Sequence, residues 1–343
     1  MATCAGESGG LLLPCPPCVT PDSHRSRDWL AGCALTDAAL RLLCIRAGGI
    51  GRQWALDSCA ARAAEHAADR ERGWREKAMQ KTEVTDGGLR GNFYQASAGR
   101  RRAIIYLGGS EGGVPFASHE ERLQPLLDLG HPVLCLAYFG VDGLPPSLEQ
   151  IPLEYFEHAF DWLSRQPGVI SEYAIIGGSR GGELALLLAS RYPQVKAVVA
   201  FSPSHVVWHG IPKRFPMHRL GSAWSYAGSD LPFVPVRLLS PTLIAGLLTS
   251  RLRKAGELAL RNKKRVEQAT IPVERIGGPV LLISGQADTL WPSTPMSEQI
   301  VSRLAANRFP FPYQHVVLES GHNVSRAGTF WPIVTDFLQE HFR

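Results

Sequence analysis

Three serines stand in Gly-x-Ser-x-Gly surroundings: Ser8 in "GESGG" (6–10), Ser110 in "GGSEGG" (108–113) and Ser179 in "GGSRG" (177–181). The pattern can present a hydroxyl as a nucleophile toward a carbonyl carbon, but in a chain with 34 glycines it decides nothing alone. A nucleophile needs a buried strand before it and a helix directly after it. The tight turn between them exposes the hydroxyl, and small neighbours let strand and helix approach. The helix N-terminus then favours developing negative charge. Ser8 fails on both sides, since "MATCA" is no buried strand and "LLLPCPP" is no helix. Ser110 follows a good strand, but "VPFAS" comes next and Pro115 opposes an immediate long helix. Ser179 lies between "YAII" and the strong helix former "GELALLLAS", which makes it the best nucleophile on local grounds.

Nucleophilic catalysis also needs a base and a group that orients the base. Asp288 directly follows the apolar run "VLLISGQA", and His322 directly follows "HVVLESG". The order serine, acid, histidine is that of an α/β-hydrolase triad, with each member at the C-terminal end of a strand. In these roles Ser179 attacks, His322 takes its proton, and Asp288 fixes the histidine tautomer and stabilises the imidazolium. His315 begins its strand and His341 sits on the last helix, so both fit less well. A tetrahedral oxyanion would need preorganised donors. One is the backbone N–H of Arg180, next to the nucleophile. The other is expected from the "GGSEGG" loop, at Gly109 or Ser110, whose glycines permit close backbone approach.

These residues require a particular frame. From about residue 82 short apolar runs alternate with amphipathic stretches: "RRAIIYLGG", "HPVLCLAYFG", "YAIIGG", "VKAVVAFSPS", "GPVLLISGQAD" and "HVVLESGHN" read as strands. "GLRGNFYQAS" reads as a hairpin and "SHEERLQPLLDLG" as amphipathic. Residues 151–169 read as a helix with Leu153, Phe156, Phe160 and Leu163 on one face, and "WPIVTDFLQEHF" reads as a terminal helix. Continuous apolar strands between helices predict an α/β fold, a mostly parallel sheet covered on both faces. Residues 204–270 interrupt the rhythm with eleven Lys and Arg against three acids and a basic helix-like stretch, "TSRLRKAGELALRNKKRVEQ". Such an insertion is expected over the strand C-termini, where ligands bind.

Bulk properties exclude several classes. The 343 residues are 45% hydrophobic and 20% charged, and a net charge of +5 gives no nucleic-acid footprint. No run of 18 apolar residues predicts a membrane span. The first residues lack a secretory pattern, and nine acids within 1–78 oppose a transit peptide, so a cytoplasmic protein is expected. Six of the seven cysteines lie within the first 59 residues. The odd total argues for reduced thiols, and "CPPC" at 15–18 lacks the second pair that a zinc site needs. No metal or cofactor is expected. Composition shifts near Met79. Residues 1–78 read as a Cys-, Ala- and Arg-rich extension, partly helical or unstructured, and 79–343 as the catalytic domain with its insertion.

Longer phrases add a resemblance. "LEYFE", "IPVER", "GGSRGGELALLLAS" and "ESGHN" resemble the C-terminal hydrolase domain of acyl-CoA thioesterases and bile acid-CoA:amino acid N-acyltransferases, from about Gly88 to the C-terminus. The resemblance implies catalytic Ser179, Asp288 and His322 and an acyl-CoA thioester as the small-molecule partner. The transferase branch uses cysteine as nucleophile, and serine here favours transfer to water. The CoA phosphates could then engage the basic segment 204–270. Animal members carry an N-terminal β-sandwich, and residues 1–78 show no series of alternating strands. An esterase, lactonase or peptidase on the same fold, a CoA-dependent acyltransferase and a non-catalytic binding protein remain alternatives.

Overall fold

The computed structural model describes residues 80–95, 101–212, 220–238 and 240–343. Ser8, the "CPPC" stretch and the helices expected before Met79 lie outside the described residues.

The first strands are β1 (Gln80–Val84) and β2 (Arg90–Gln95), which pair antiparallel. Gly87 and Gly88 turn the chain between them at φ +59° and +82°, a backbone that L side chains rarely adopt. The hairpin expected within 88–97 is not there among the described residues: that stretch holds the single strand β2, and the turn is "DGG" at 86–88, which pairs β2 with the preceding β1. After β3 (Arg101–Leu107) comes α1 (Gln124–Asp128), and β4 (Val133–Ala137) follows. Residues 151–169 begin with a short strand, β5 (Ile151–Pro152), before α2 (Glu154–Ser164). Ile151 and Pro152 pair with Trp224 and Ser225, so the helix starts later than its apolar spacing predicts.

Next come β6 (Val169–Gly178), α3 (Arg180–Arg191) and β7 (Val195–Phe201). The inserted segment holds β8 (Trp224–Tyr226), β9 (Ser229–Asp230), α4 (Pro241–Thr249), α5 (Arg253–Ala259) and α6 (Lys263–Ala269). The basic stretch expected as one helix is thus two. Asn262 breaks it, its side chain accepting from Arg265 N–H at 3.2 Å as the cap of α6. The chain closes with β10 (Val280–Gly285), α7 (Ser293–Ala306), β11 (Tyr313–Leu318) and α8 (Phe330–His341).

The main sheet runs β1-β2-β4-β3-β6-β7-β10-β11, parallel from β4 to β11. Alternate residues of each strand feed opposite apolar layers. Ile105, Leu134, Ile175 and Leu282 join α2, α3 and α7 on one face, while Ile104, Cys135, Ile176 and Leu281 join α1 and α8 on the other. Two-sided burial explains why these strands read as unbroken apolar runs. Among the described residues no helix is long and apolar enough to cross a membrane.

Two histidines of the insertion are held well below the usual range. Burial lowers His205 to about 4, and burial aided by the Arg180 charge lowers His209 to about 4. An unfolded chain would take up these protons near pH 6.5, well before the folded one. Stability is therefore expected to fall as pH drops from 6.5 toward 4, by roughly 3 kcal/mol for each histidine at the lower limit. Urea unfolding of the wild type and of a His205→Gln/His209→Gln double variant, at pH 7 and pH 4.5, checks this. The double variant should show the smaller loss.

Candidate active site

Ser179 sits where β6 ends and α3 begins, with φ +53° and ψ −116°. That backbone is strained for a residue with a Cβ. Its N–H is held by Phe201 O at 2.8 Å, and its own carbonyl accepts from Glu183 N–H at 3.0 Å. The glycines around it are steric necessities. A Cβ on Gly177 would lie 2.2 Å from Gly181 O, and one on Gly178 would run into the Phe201 ring.

Asp288 and His322 follow β10 and β11, so all three residues gather at the C-terminal edge of the parallel strands. His322 Nδ1 and Asp288 Oδ2 are 2.9 Å apart. Asp288 is buried and fully engaged. Its Oδ1 accepts from Leu290 N–H at 3.0 Å and Trp291 N–H at 2.9 Å, and its Oδ2 also accepts from Ser293 Oγ at 2.7 Å. A carboxylate so fixed holds the imidazole with its other nitrogen free for proton transfer. Ser202 secures the histidine loop from the far side, donating its hydroxyl to His322 O at 2.7 Å. Ser179 and His322 line one cavity of about 470 Å³. Among the described residues no hydrogen bond joins Ser179 Oγ to the ring, a contact that commonly tightens only with substrate bound.

The "GGSEGG" loop lines the same cavity. Tyr138 Oη lies 2.6 Å from Gly108 O and 3.1 Å from Gly109 O, and Gly113 N–H donates to Phe139 O at 3.0 Å. Gly109 N–H is already used, since it donates to Glu111 Oε1 at 2.7 Å. Ser110 is exposed in the turn, and the next helical residues begin only at Glu120. Sequence reasoning missed Tyr138, Ser202, Ser293 and Glu111. Glu111 lies inside "GGSEGG", and Tyr138 and Ser202 lie in the strand runs "HPVLCLAYFG" and "VKAVVAFSPS", which mark them as structural only.

Arg180 contributes more than a backbone N–H. Its buried side chain pairs with Glu183, Nη1 to Oε2 at 2.8 Å, and its Nη2 donates to His209 O at 2.9 Å. Glu183 Oε1 accepts from Trp208 N–H at 3.1 Å and Trp224 Nε1–H at 2.7 Å. Burial pushes the carboxyl up and the guanidinium down, and their mutual attraction opposes both. The first turn of α3 is thereby tied to the inserted segment. None of the basic residues of 204–270 is among the described residues lining the cavity. The described part of that segment packs through Trp208 and Trp224, and its Arg253 donates Nη1–H to Asp288 O at 3.1 Å. Lys213, Arg214 and Arg219 lie outside the described residues.

The family described as "BAAT / Acyl-CoA thioester hydrolase C terminal" matches residues 151–327, just over half the chain. The chain belongs to that family. Mouse mitochondrial acyl-coenzyme A thioesterase 2 is 31% identical over 235 residues, 67% of this chain and 46% of that protein. Mouse acyl-coenzyme A amino acid N-acyltransferase 1 is 28% identical over 66% of this chain and 49% of its own. The BAAT-family chain spans about half the length of the curated relatives it matches. Among solved structures, the Pyrococcus horikoshii acylaminoacyl peptidase matches 77% of this chain and 41% of its own with a TM-score of 0.51 at 14% identity. A Pyrococcus furiosus esterase matches 78% and 93% with a TM-score of 0.51 at 16% identity. These likenesses establish the α/β-hydrolase fold.

Removing one member of a buried ion pair strands the other. Arg180→Met, which keeps the backbone N–H, is expected to destabilise the fold by about 3–5 kcal/mol. Arg180→Met/Glu183→Leu should recover only part of that loss, because it removes the stranded charge but leaves His209 O, Trp208 N–H and Trp224 Nε1–H without these partners. Urea midpoints of the two variants against wild type make the comparison.

Proposed function

We propose that the protein is a serine hydrolase that cleaves acyl-CoA thioesters to the free acid and CoA through an acyl-enzyme on Ser179. The observation that carries this reading is the 2.9 Å pairing of His322 with a four-fold bonded Asp288, in one cavity with a serine on a strained strand–helix turn. Membership of the family supports the thioester substrate.

His322 removes the Ser179 proton as the hydroxyl attacks the thioester carbon. Asp288 stabilises the imidazolium that forms. The tetrahedral oxyanion is met by Arg180 N–H, one of the orphan donors at the start of α3. The loop supplies the second donor, from Ser110 N–H or from Gly109 N–H once Glu111 turns aside. Collapse expels CoA, whose thiol pKa of about 8.5 means departure needs little acid assistance, and the imidazolium proton passes to the departing sulfur so that His322 is neutral again. Water activated by His322 then attacks the acyl-enzyme, and Ser179 takes its proton back. No cofactor enters this scheme.

Free-thiol release from a panel of acyl-CoA chain lengths, run beside p-nitrophenyl esters, tests the reading. Ser179→Ala is expected to lower turnover by about a thousandfold or more, and Ser110→Ala, which keeps its backbone, by less than about tenfold. Ester turnover without CoA release would overturn the substrate. Equal damage from both serines would overturn the assignment of the nucleophile.

Glu111 gives a second check. Its carboxylate competes with an oxyanion for Gly109 N–H. Glu111→Ala is therefore expected to raise kcat/KM by several-fold, on the order of one hydrogen bond. A fall of similar size would assign Glu111 to holding the loop in shape.

A further inference from the structure

The cavity beside Ser179 has two kinds of wall. Tyr106, Leu107, Phe116, Phe201 and Leu290 make an apolar side suited to an acyl chain. Arg122 and Arg326 also line it, and both are exposed, so they stand at its mouth. They come from separate turns, Glu120–Leu123 ahead of α1 and Val324–Arg326 just after His322. Each turn is pinned by a fully buried neighbour, Leu123 and Val324, in the same apolar layer of the sheet. The two guanidinium groups therefore hang from anchored backbone.

Three half-buried arginines elsewhere already have carboxylate partners. Arg102 pairs with Glu172, Arg253 with Glu257 and Arg303 with Glu274. Among the described residues, Arg122 and Arg326 form no ion pair and no side-chain hydrogen bond. The acid that shares their cavity, Glu111, is turned to Gly109 N–H. A volume of about 470 Å³ suits a drug-sized group. It can take the reacting thioester with its acyl chain or pantetheine arm, and the nucleotide end of CoA must stay at the mouth. The direction is set by the chemistry as well. The leaving thiol departs on the side of His322, the group that would protonate it, and Arg326 lies four residues beyond that histidine. Guanidinium forks suit phosphate oxygens better than ammonium groups do.

We infer that Arg122 and Arg326 form an anion subsite at the mouth of the Ser179 cavity that takes the phosphates of the CoA moiety. The inference rests on the thioesterase reading above and replaces the basic inserted segment as the place where those phosphates are met. A carboxylate at the far end of an acyl chain offers the same anionic chemistry, so the substrates must separate the two sources.

The experiment compares three thioesters of one acyl length: acyl-CoA, the matching acyl-pantetheine, and an acyl-pantetheine with a terminal carboxylate. Arg122→Ala and Arg326→Ala are each expected to raise KM for acyl-CoA by about tenfold, with kcat within about twofold. KM for plain acyl-pantetheine should not move, and the salt dependence of KM for acyl-CoA should weaken in both variants. Arg→Lys at either position should recover part of the loss. Binding of CoA to Ser179→Ala, with and without Arg122→Ala/Arg326→Ala, gives a readout independent of turnover and should weaken by at least the same factor. Unchanged KM and unchanged CoA binding overturn the subsite. A rise confined to the carboxylate-bearing thioester overturns the phosphate assignment. Hydrolysis of p-nitrophenyl esters with none of the three thioesters overturns the thioesterase reading itself, a result distinct from failure of the subsite.

Discussion

A Cβ on Gly181 would lie 2.2 Å from Gly108 O and 2.7 Å from Leu107 O. That close approach links the helix after the serine to the end of β3 and the loop that follows it, and the approach of Gly177 to Gly181 O adds the strand before the serine. Because the backbones touch, Ser179 is held at φ +53° with little room to relax, and the Gly108–Gly113 loop is brought alongside it. Strain of this kind persists only where the surroundings over-determine it. Here the bond from Ser179 N–H to Phe201 O and the pair Arg180–Glu183 supply the constraint from two further directions.

The buried pair is the less obvious part. Taking two charges out of water is costly, and good geometry repays it only in part. Arg180 and Glu183 also satisfy His209 O, Trp208 N–H and Trp224 Nε1–H, all in the inserted segment. The pair therefore joins the helix that follows Ser179 to the inserted segment. An apolar pair of equal volume could fill the space but would leave those three polar groups without these partners.

The central sheet was legible because two-sided burial writes itself as continuous apolar runs. The gathering of Ser179, Asp288 and His322 at one edge of the sheet was legible because "YAIIGGSRGG", "VLLISGQAD" and "HVVLESGHN" each end a strand in a chemistry-bearing residue. The terms that failed were tertiary. Nothing local in "IPLEYFE" says that Ile151 and Pro152 pair with a strand more than seventy residues away. "TSRLRKAGELALRNKKRVEQ" has helical composition throughout, and its interruption depends on one asparagine acting as a cap. Tyr138, Ser202 and Ser293 support the site through single hydroxyl contacts across long sequence separations, which carry no period and no motif. The "DGG" turn was the exception. Its two adjacent glycines after an aspartate are a local turn signal in the sequence itself.

Glu111 shows how one motif can hold two kinds of information. "GGSEGG" mimics a nucleophile turn in composition, yet its serine is exposed and its neighbouring carboxylate sits on the Gly109 N–H at 2.7 Å. The same carboxylate and Ser179 Cβ lie 2.8 and 3.3 Å from the place a Gly109 Cβ would take. An amide that binds a carboxylate oxygen at this distance from the serine already has the polarity an oxyanion needs. On the proposed mechanism, the free protein thus keeps an anionic oxygen on this donor before substrate arrives, and turnover exchanges it for the one that forms on the acyl carbon. Placing a carboxylate there costs binding energy for the substrate, but it keeps a buried N–H from standing unpaired.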